Sequence, residues 1–441
     1  MRVLIVSYYF TPYNTIGAVR VGKTARYLWE MGHDVRVLAA RDQPLQPTLP
    51  LEIPDTNVTR TPWLNVNAPA ELVFGGRDRV ATHGFSAPPK WRALARFLGL
   101  GYKTVTNFPD AQVGWLPYAV RAGKELCADW RPDIILASAK PTTSLLIGAH
   151  LARRFWIPWV AELRDLLVDD VRYPYPAPRR SLERLLERRT LSSATGIVTV
   201  SQPYAEHLQT HYLKPVETVL NGYDSIDVPI SPQPAAREDK LQIVYTGMIY
   251  DGCQDVTPLF RALRMLGDEA HCVRVRFFGR YLDSLARLTE RYGINCSIEI
   301  AGSVPYHEAL CAQQRADILL LLLVSSSEPL QRGIYTGKLF EYLGARRPIL
   351  ALGKNDNVAA ELLVSRGAGV VLNDPVEIAA QLRSWLSQKR TSVGIDAVPA
   401  EAMAGLSRRE QTARLAAFLG RIVADTNAAR PAALRPHRTA A

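Results

Sequence analysis

The chain has 441 residues, with 53 Lys and Arg against 42 Asp and Glu, a formal charge of +11 at pH 7. Hydrophobic residues make up 47% and charged residues 22%, the balance of a packed globular protein of two or three domains, which excludes a disordered or fibrous chain. The longest apolar run, Ile318 to Val324, falls far short of the roughly 20 residues that cross a bilayer, so no spanning helix is expected. No small-residue cleavage site follows the brief apolar stretch at the amino terminus, and a cytoplasmic location is expected. Cys127, Cys253, Cys272, Cys296 and Cys311 are widely spaced and lack a Cys-x-x-Cys pair, which argues against a disulfide framework and a zinc site. The excess of positive charge admits nucleic acid, anionic lipid or phosphorylated ligands, and only its distribution can choose among them.

In chain order, the first half places aliphatic runs at Val3 to Tyr9, Val35 to Ala39, Ile134 to Ala137, Trp159 to Leu163 and Ile197 to Val200, with helical patterns between them. That alternation predicts parallel strands joined by crossover helices. After the first strand, the turn from Thr11 to Arg20 enters a helix through Gly17. A glycine there lets a ligand approach the backbone, although a turn glycine alone explains it equally well. This loop lacks the Gly-x-Gly-x-x-Gly fingerprint, which removes support for a nicotinamide or flavin enzyme.

Residues 77–103 hold Arg77, Arg79, Lys90, Arg92, Arg96 and Lys103 against Asp78 alone. Trp91, Leu94, Ala95 and Leu98 share one helical face, and Arg92 and Arg96 another. Such a stretch can lie on an anionic membrane or pack on the core with a solvated back. The segment 228–240, interrupted by Pro229, Pro232 and Pro234, reads as a linker between domains 1–227 and 241–404.

Beyond it, strands are expected at Gln242 to Thr246, Val273 to Phe278, Ser297 to Ile300, Ile318 to Val324, Ile349 to Leu352 and Gly369 to Leu372. The run from Gly333 to Leu343 reads as loop and helix, followed by a strand from Pro348. If that helix starts near Thr336, its first amides and Lys338 can meet a diphosphate at the positive helix end. Glu341, one turn inside, can accept two hydrogen bonds from the vicinal hydroxyls of a ribose. A solvated Lys–Glu pair at i, i+3 fits the same spacing. Ser407 and Glu410 form a capping box that opens a C-terminal helix over 405–425, expected to pack back on the first domain, and 426–441 read as a flexible tail.

At these residues the chain resembles the GT-B glycosyltransferases, particularly the family-4-like sugar-nucleotide transferases. Similar landmarks are Gly17-Ala18-Val19-Arg20, Pro132-Asp133-Ile134-Ile135 leading to Ser138, Val160 to Asp165, Asn221 to Asp224, Val244 to Gly247, Phe278-Gly279-Arg280 and Ala316-Asp317-Ile318. The resemblance implies two doubly wound Rossmann-like domains facing a central cleft, with acceptor on the first and nucleotide sugar on the second. It implies Gly247, Gly279, Arg280, Thr336, Gly337 and Lys338 around the donor phosphates and Glu341 on the ribose. Gly17, Arg20, Ser138 and Glu162 would belong to the acceptor loops, and Arg164 and Asp165 to the catalytic group with Lys338.

The match has one gap. Where many members place a glutamate for the donor sugar, eight residues before the ribose glutamate, this chain has Gly333, and Glu328, thirteen before Glu341, is the alternative. No Asp-x-Asp motif is present to hold a divalent ion, so a metal-independent transfer without a cofactor is expected, and the resemblance implies retention at the anomeric carbon. The acceptor, a hydroxyl that can be lipid-linked, would place the enzyme at the inner membrane face in polysaccharide, lipopolysaccharide or glycoside synthesis. A sugar-nucleotide epimerase of the same fold and a basic nucleic-acid-binding protein are the alternatives. The second has only charge in its favour, since no recognition motif accompanies it.

Overall fold

A computed structural model describes residues 1–73, 92–170, 173–227, 239–250, 253–280, 282–324, 328–391 and 395–429. The chain divides into two compact units. The first comprises Met1–Val200, Tyr204–Val219 and Thr412 onward, the second Ser201–Pro203 and Leu220–Gln411.

The first unit is built on a sheet of seven parallel strands: β1 (Arg2–Val6), β2 (Asp34–Ala40), β3 (Val58–Thr61), β4 (Ile134–Ala139), β5 (Trp159–Leu163), β6 (Gly196–Thr199) and β7 (Val216–Thr218). Their order across the sheet is β3-β2-β1-β4-β5-β6-β7. β4 and β5 are buried along their whole length because helices cover both faces, which is why they read as unbroken aliphatic runs. Edge strands β3 and β7 are not among the strands expected from sequence. Both are short, and their sequences Val-Thr-Arg-Thr and Val-Glu-Thr lie half-buried, so neither carries a run of core residues.

The second unit repeats the design in six parallel strands: β8 (Leu241–Thr246), β9 (Val273–Phe278), β10 (Ser297–Gly302), β11 (Ile318–Leu322), β12 (Ile349–Leu352) and β13 (Gly369–Leu372). The order β10-β9-β8-β11-β12-β13 makes each unit a Rossmann-type sheet whose winding reverses beside its first strand. Crevices for ligands form outside the carboxyl ends of the strands where the winding reverses. In the first unit that point lies between β1 and β4, in the second between β8 and β11.

The boundary between the units falls earlier than the proline-rich stretch. Leu220 and Tyr223 pack on the core formed by Leu339, Phe340, Leu343 and Leu406, and so join the second unit. Of the stretch 228–240, residues 228–238 lie outside the described residues, as do 77–91 of the basic segment and 430–441 of the tail. The last helix runs over Arg408–Ala429, beyond residue 425 and into the stretch read as tail, with Thr426 Oγ1 donating to the Ile422 carbonyl at 2.8 Å. At its start the Glu410 amide donates to Ser407 Oγ and the Ser407 amide to Glu410 Oε2, at 3.2 and 3.0 Å.

From Thr412 onward this helix supplies Leu415, Phe418, Leu419 and Ile422 to the core of the first unit, beside Val160 and Val198. The fit is close: a methyl group on Gly196 would come within 2.8 Å of the Phe418 ring. Phe418→Ala should cost about 3–5 kcal/mol of stability, read by denaturant unfolding of the full chain.

Candidate functional site

At the winding reversal of the second unit, the chain leaves β8 through Gly247. This residue adopts φ +113°, and its amide donates to the Phe278 carbonyl at 2.7 Å. Gly279, at the end of β9, lies so close that a Cβ on it would stand 2.1 Å from the Gly247 carbonyl oxygen. The two turns therefore stack backbone on backbone, an arrangement that leaves no room for a side chain at Gly279.

The loop that leaves β11 runs through a 3-10 turn at Pro329–Gly333 and enters the helix Gly337–Ala345. Thr336 occupies the N-cap position in extended conformation, but its hydroxyl caps nothing, and Oγ1 is buried without a hydrogen-bond partner. The first bond of the turn runs from the Leu339 amide to the Thr336 carbonyl at 3.1 Å, and among the described residues the Gly337 and Lys338 amides are the orphan donors of a helix start.

Lys338 turns back toward β8. Its ammonium donates to Tyr245 Oη at 2.6 Å, lies 4.1 Å from the centre of that ring, and would meet a Cβ on Gly247 at 2.9 Å. It does not form the solvated i, i+3 pair with Glu341 that the spacing also allowed. Burial against the aromatic ring lowers its pKa to about 7, with the charge of Glu341 acting in the opposite direction.

Glu341 occupies a polar recess of its own. Tyr306 Oη donates to Oε1 at 3.5 Å and Gln313 Nε2 to Oε2 at 3.4 Å. Burial raises its pKa, and Arg408 is the largest of the groups that oppose the rise. Arg280 is exposed at the end of β9, and Glu328 is exposed at the start of the 3-10 turn. Gly247, Gly279, Thr336, Gly337, Lys338 and Glu341 thus belong to one continuous arrangement of turns and helix start. Tyr245, which belongs to the landmark Val244 to Gly247, completes it with Tyr306, Gln313 and Arg408, and these last three were not singled out from sequence. Gln313 left a signal all the same: it falls on the buried stripe of its helix beside Leu310, where an apolar residue is the norm.

In the first unit the Gly17 helix, Ile16–Glu30, is capped by Thr15, whose Oγ1 accepts from the Ala18 amide at 3.0 Å. Arg20 is 4% exposed and donates through Nε to Glu162 Oε1 at 2.9 Å and through Nη2 to the Val219 carbonyl at 3.0 Å. Burial pushes the Glu162 carboxyl up, but Arg20, with help from its other neighbours, more than offsets this and holds it below the usual carboxylate range. Ser138 is the register partner of Glu162 across β4 and β5 and is equally buried. Arg20, Ser138 and Glu162 therefore sit inside the fold.

Arg164 lies against the Gly17 turn. Its Nε donates to the Ala139 carbonyl at 2.7 Å and Nη2 to the Lys140 carbonyl at 2.9 Å. Nη1 points at Gly17, where a Cβ would stand 2.2 Å away, and makes no hydrogen bond to a described residue. Desolvation lowers the Arg164 pKa, opposed most strongly by the charge of Glu162. Asp165 follows, half-buried, at the start of the loop beyond β5. Among the described residues, no group of three or more His, Cys, Asp or Glu is placed to hold a metal ion, and no helix is long and apolar enough to cross a membrane.

Two Rossmann-type units in tandem, each a parallel sheet that reverses its winding beside its first strand, define the GT-B fold. Residues 17–224 match the family profile described as the Glycosyl transferase 4-like domain, so the first unit carries a domain of that kind. No curated protein matches the sequence. Among solved structures, a glycosyltransferase from Rickettsia africae is 14% identical over 96% of this chain and 98% of its own, with a TM-score of 0.60. Anabaena HepE in complex with UDP is 13% identical over 96% of this chain and 100% of its own, with a TM-score of 0.57. The lipopolysaccharide outer core galactosyltransferase WaaB is 10% identical over 96% of this chain and 100% of its own, with a TM-score of 0.55.

A lysine whose pKa is depressed in the folded state binds fewer protons there than in the unfolded chain, between pH 7 and its ordinary 10.5. Its destabilising effect is complete below about pH 7 and relieved as pH rises toward 10.5. Lys338→Met should therefore raise stability at about pH 6 and lose that advantage by about pH 10, as chemical denaturation at the two pH values will show.

Proposed function

We propose that the chain is a glycosyltransferase that moves a sugar from a nucleotide-diphosphate sugar to a hydroxyl acceptor, with retention of anomeric configuration. The observation that carries this reading is the Lys338 ammonium, held beside Gly247 at a helix start, with the Glu341 carboxylate one turn further in. A cation and orphan amides suit a diphosphate, and a recessed carboxylate suits a pair of ribose hydroxyls. HepE, a protein of this fold, has been crystallised with UDP and with UDP-glucose.

In the reaction the acceptor hydroxyl oxygen bonds to the anomeric carbon as the bond from that carbon to the diphosphate oxygen breaks. Negative charge grows on the departing diphosphate, where Lys338 and the amides of Gly337 and Lys338 stabilise it most, and the hydroxyl proton passes to a diphosphate oxygen. These groups meet the developing charge without a metal ion or a dedicated base. Arg280, exposed at the end of β9, adds a second cation for the phosphates, and Glu328 serves the transferred sugar.

In the first unit, Arg164 and Asp165 hold the acceptor. The Arg164 Nη1 edge is the open donor at the Gly17 turn, and Arg20 with Glu162 stiffens the strand that presents it. The acceptor is lipid-linked, in polysaccharide, lipopolysaccharide or glycoside synthesis at the cytoplasmic face of a membrane; WaaB, a lipopolysaccharide galactosyltransferase by name, shares the fold. The helix Ala177–Ser192 supports a membrane contact. Leu182 and Leu185 are 59% and 66% exposed, flanked by exposed Arg188 and Arg189, while Arg184 pairs with Asp169 at 3.0 Å. Its acids turn inward, Glu183 to Arg179 at 2.6 Å and Glu187 to the Tyr212 hydroxyl at 2.8 Å. Apolar side chains ringed by cations are the composition of an interfacial helix.

Lys338→Ala and Glu341→Ala should each weaken nucleotide-sugar affinity about tenfold or more while leaving the circular dichroism of the folded chain in place. Titration calorimetry against a panel of nucleotide sugars measures both variants, and wild-type affinity in both would refute the assignment. Flotation with vesicles containing phosphatidylglycerol tests the membrane contact: Leu182→Ser with Leu185→Ser should lower the bound fraction several-fold, and added salt should lower it further.

A further inference from the structure

Gln313 is 1% exposed, on the helix Tyr306–Arg315 beneath the carboxyl ends of β8 and β11. Its Nε2 carries two hydrogens and spends both on the candidate site: one on Thr246 Oγ1 at 2.9 Å, the other on Glu341 Oε2 at 3.4 Å. Thr246 is the last residue of β8, directly before Gly247, and its amide donates to Tyr342 Oη at 2.8 Å. One buried amide therefore ties the turn placed at the diphosphate to the carboxylate placed at the ribose. A leucine would satisfy the packing of this helix face with less desolvation, because Gln313 Oε1 is buried without a hydrogen-bond partner. Folding alone gives no reason for an amide with one end unsatisfied; a fixed geometry at Glu341 does.

We propose that Gln313 is a positioning residue for nucleotide recognition. By holding Glu341 against Thr246, it presents both carboxylate oxygens to the two ribose hydroxyls and so makes the site selective for ribonucleoside over 2′-deoxyribonucleoside diphosphates. The role rests on the donor-binding reading above. The charged and titratable groups that face Glu341 are Arg408 at the start of the last helix, Tyr306 on the Gln313 helix, and Lys338 and Tyr342 on its own helix. Arg408, Lys338 and the hydrogen bonds from Gln313 and Tyr306 all favour the ionised form against burial, which opposes it. Without Gln313, Oε2 loses its donor and the carboxylate is held through Oε1 alone, by Tyr306. A site that discriminates by pairing with a hydroxyl rejects the analogue lacking it strongly only while its own group is held in place.

The experiment titrates the full chain with UDP, GDP, ADP and CDP, then compares the tightest of these with its 2′-deoxy counterpart, for wild type, Gln313→Leu and Thr246→Val. Wild type should prefer the ribonucleotide by at least about tenfold, and both variants should reduce the ratio to about threefold or less. The pH at which ribonucleotide affinity falls on acidification should move upward in Gln313→Leu, because the ionised carboxylate has lost a donor. A Gln313→Leu protein that is less stable but keeps the wild-type ratio and pH profile would reduce Gln313 to a packing residue and overturn the role. Should that variant fail to fold, Thr246→Val, which removes the other anchor, decides by the same ratio. Equal affinity of wild type for the two sugars also overturns the role. Failure of wild type to bind any of the four diphosphates sinks the donor reading itself, whereas tight binding with an unaltered ratio in the variants sinks the role of Gln313 alone.

Discussion

The candidate site depends on a buried lysine at a helix start whose direct partner is a phenol rather than a carboxylate. Lys338 is packed over the Tyr245 ring, its ammonium shares a hydrogen bond with the phenol oxygen, and Gly247 gives it room. A buried ammonium in such surroundings is destabilising, and the fold tolerates it because Leu339, Phe340, Tyr342 and Leu343 anchor the same helix in the core. The helix is thus held by its apolar face while its first turn presents a charge ready for an anion. Binding sites commonly spend stability in this way, since the group that would satisfy the cation is the ligand.

In the first unit the same economy of charge takes another form. Arg20 and Glu162 neutralise one another inside the fold, on a helix and a strand of the first unit. A buried pair of this kind adds little net stability over apolar residues, but it fixes the two elements in register, because breaking it leaves an uncompensated charge. Arg164 is treated differently. Two of its donors are fixed on backbone carbonyls and its remaining edge faces Gly17, so the guanidinium is oriented by the main chain and its charge is directed at the turn. Pairing one arginine and presenting the other separates the structural cation from the one able to meet a ligand.

The two units reach their sites by the same rule of topology, with different chemistry. Each sheet reverses its winding beside its first strand, and each places a glycine turn there, Gly17 after β1 and Gly247 after β8. Around Gly17 stand a guanidinium and a capped helix, and around Gly247 an ammonium, a second backbone turn and a recessed carboxylate. The Glu341 carboxylate is met by Tyr306 and Gln313, side chains that a hydrocarbon core would not need, and this separates its surroundings from ordinary apolar packing.

Much of this was legible in the sequence, because periodicity and spacing are local properties. Aliphatic runs alternating with helical patterns dictated eleven of the thirteen strands, and the spacing of Gly337, Lys338 and Glu341 put an amide, a cation and a carboxylate on one helical turn. The short edge strands β3 and β7 escaped because half-buried polar residues carry no such pattern. What the sequence could not decide was whether a charge is paired or presented, since that is set by partners far away in the chain: Lys338 meets Tyr245 across 93 residues, Gln313 meets Thr246 across 67, and Arg20 meets Glu162 across 142. Local order follows from neighbours along the chain. Burial, and with it the state of each ionisable group, exists only once the sheets have brought those distant residues together.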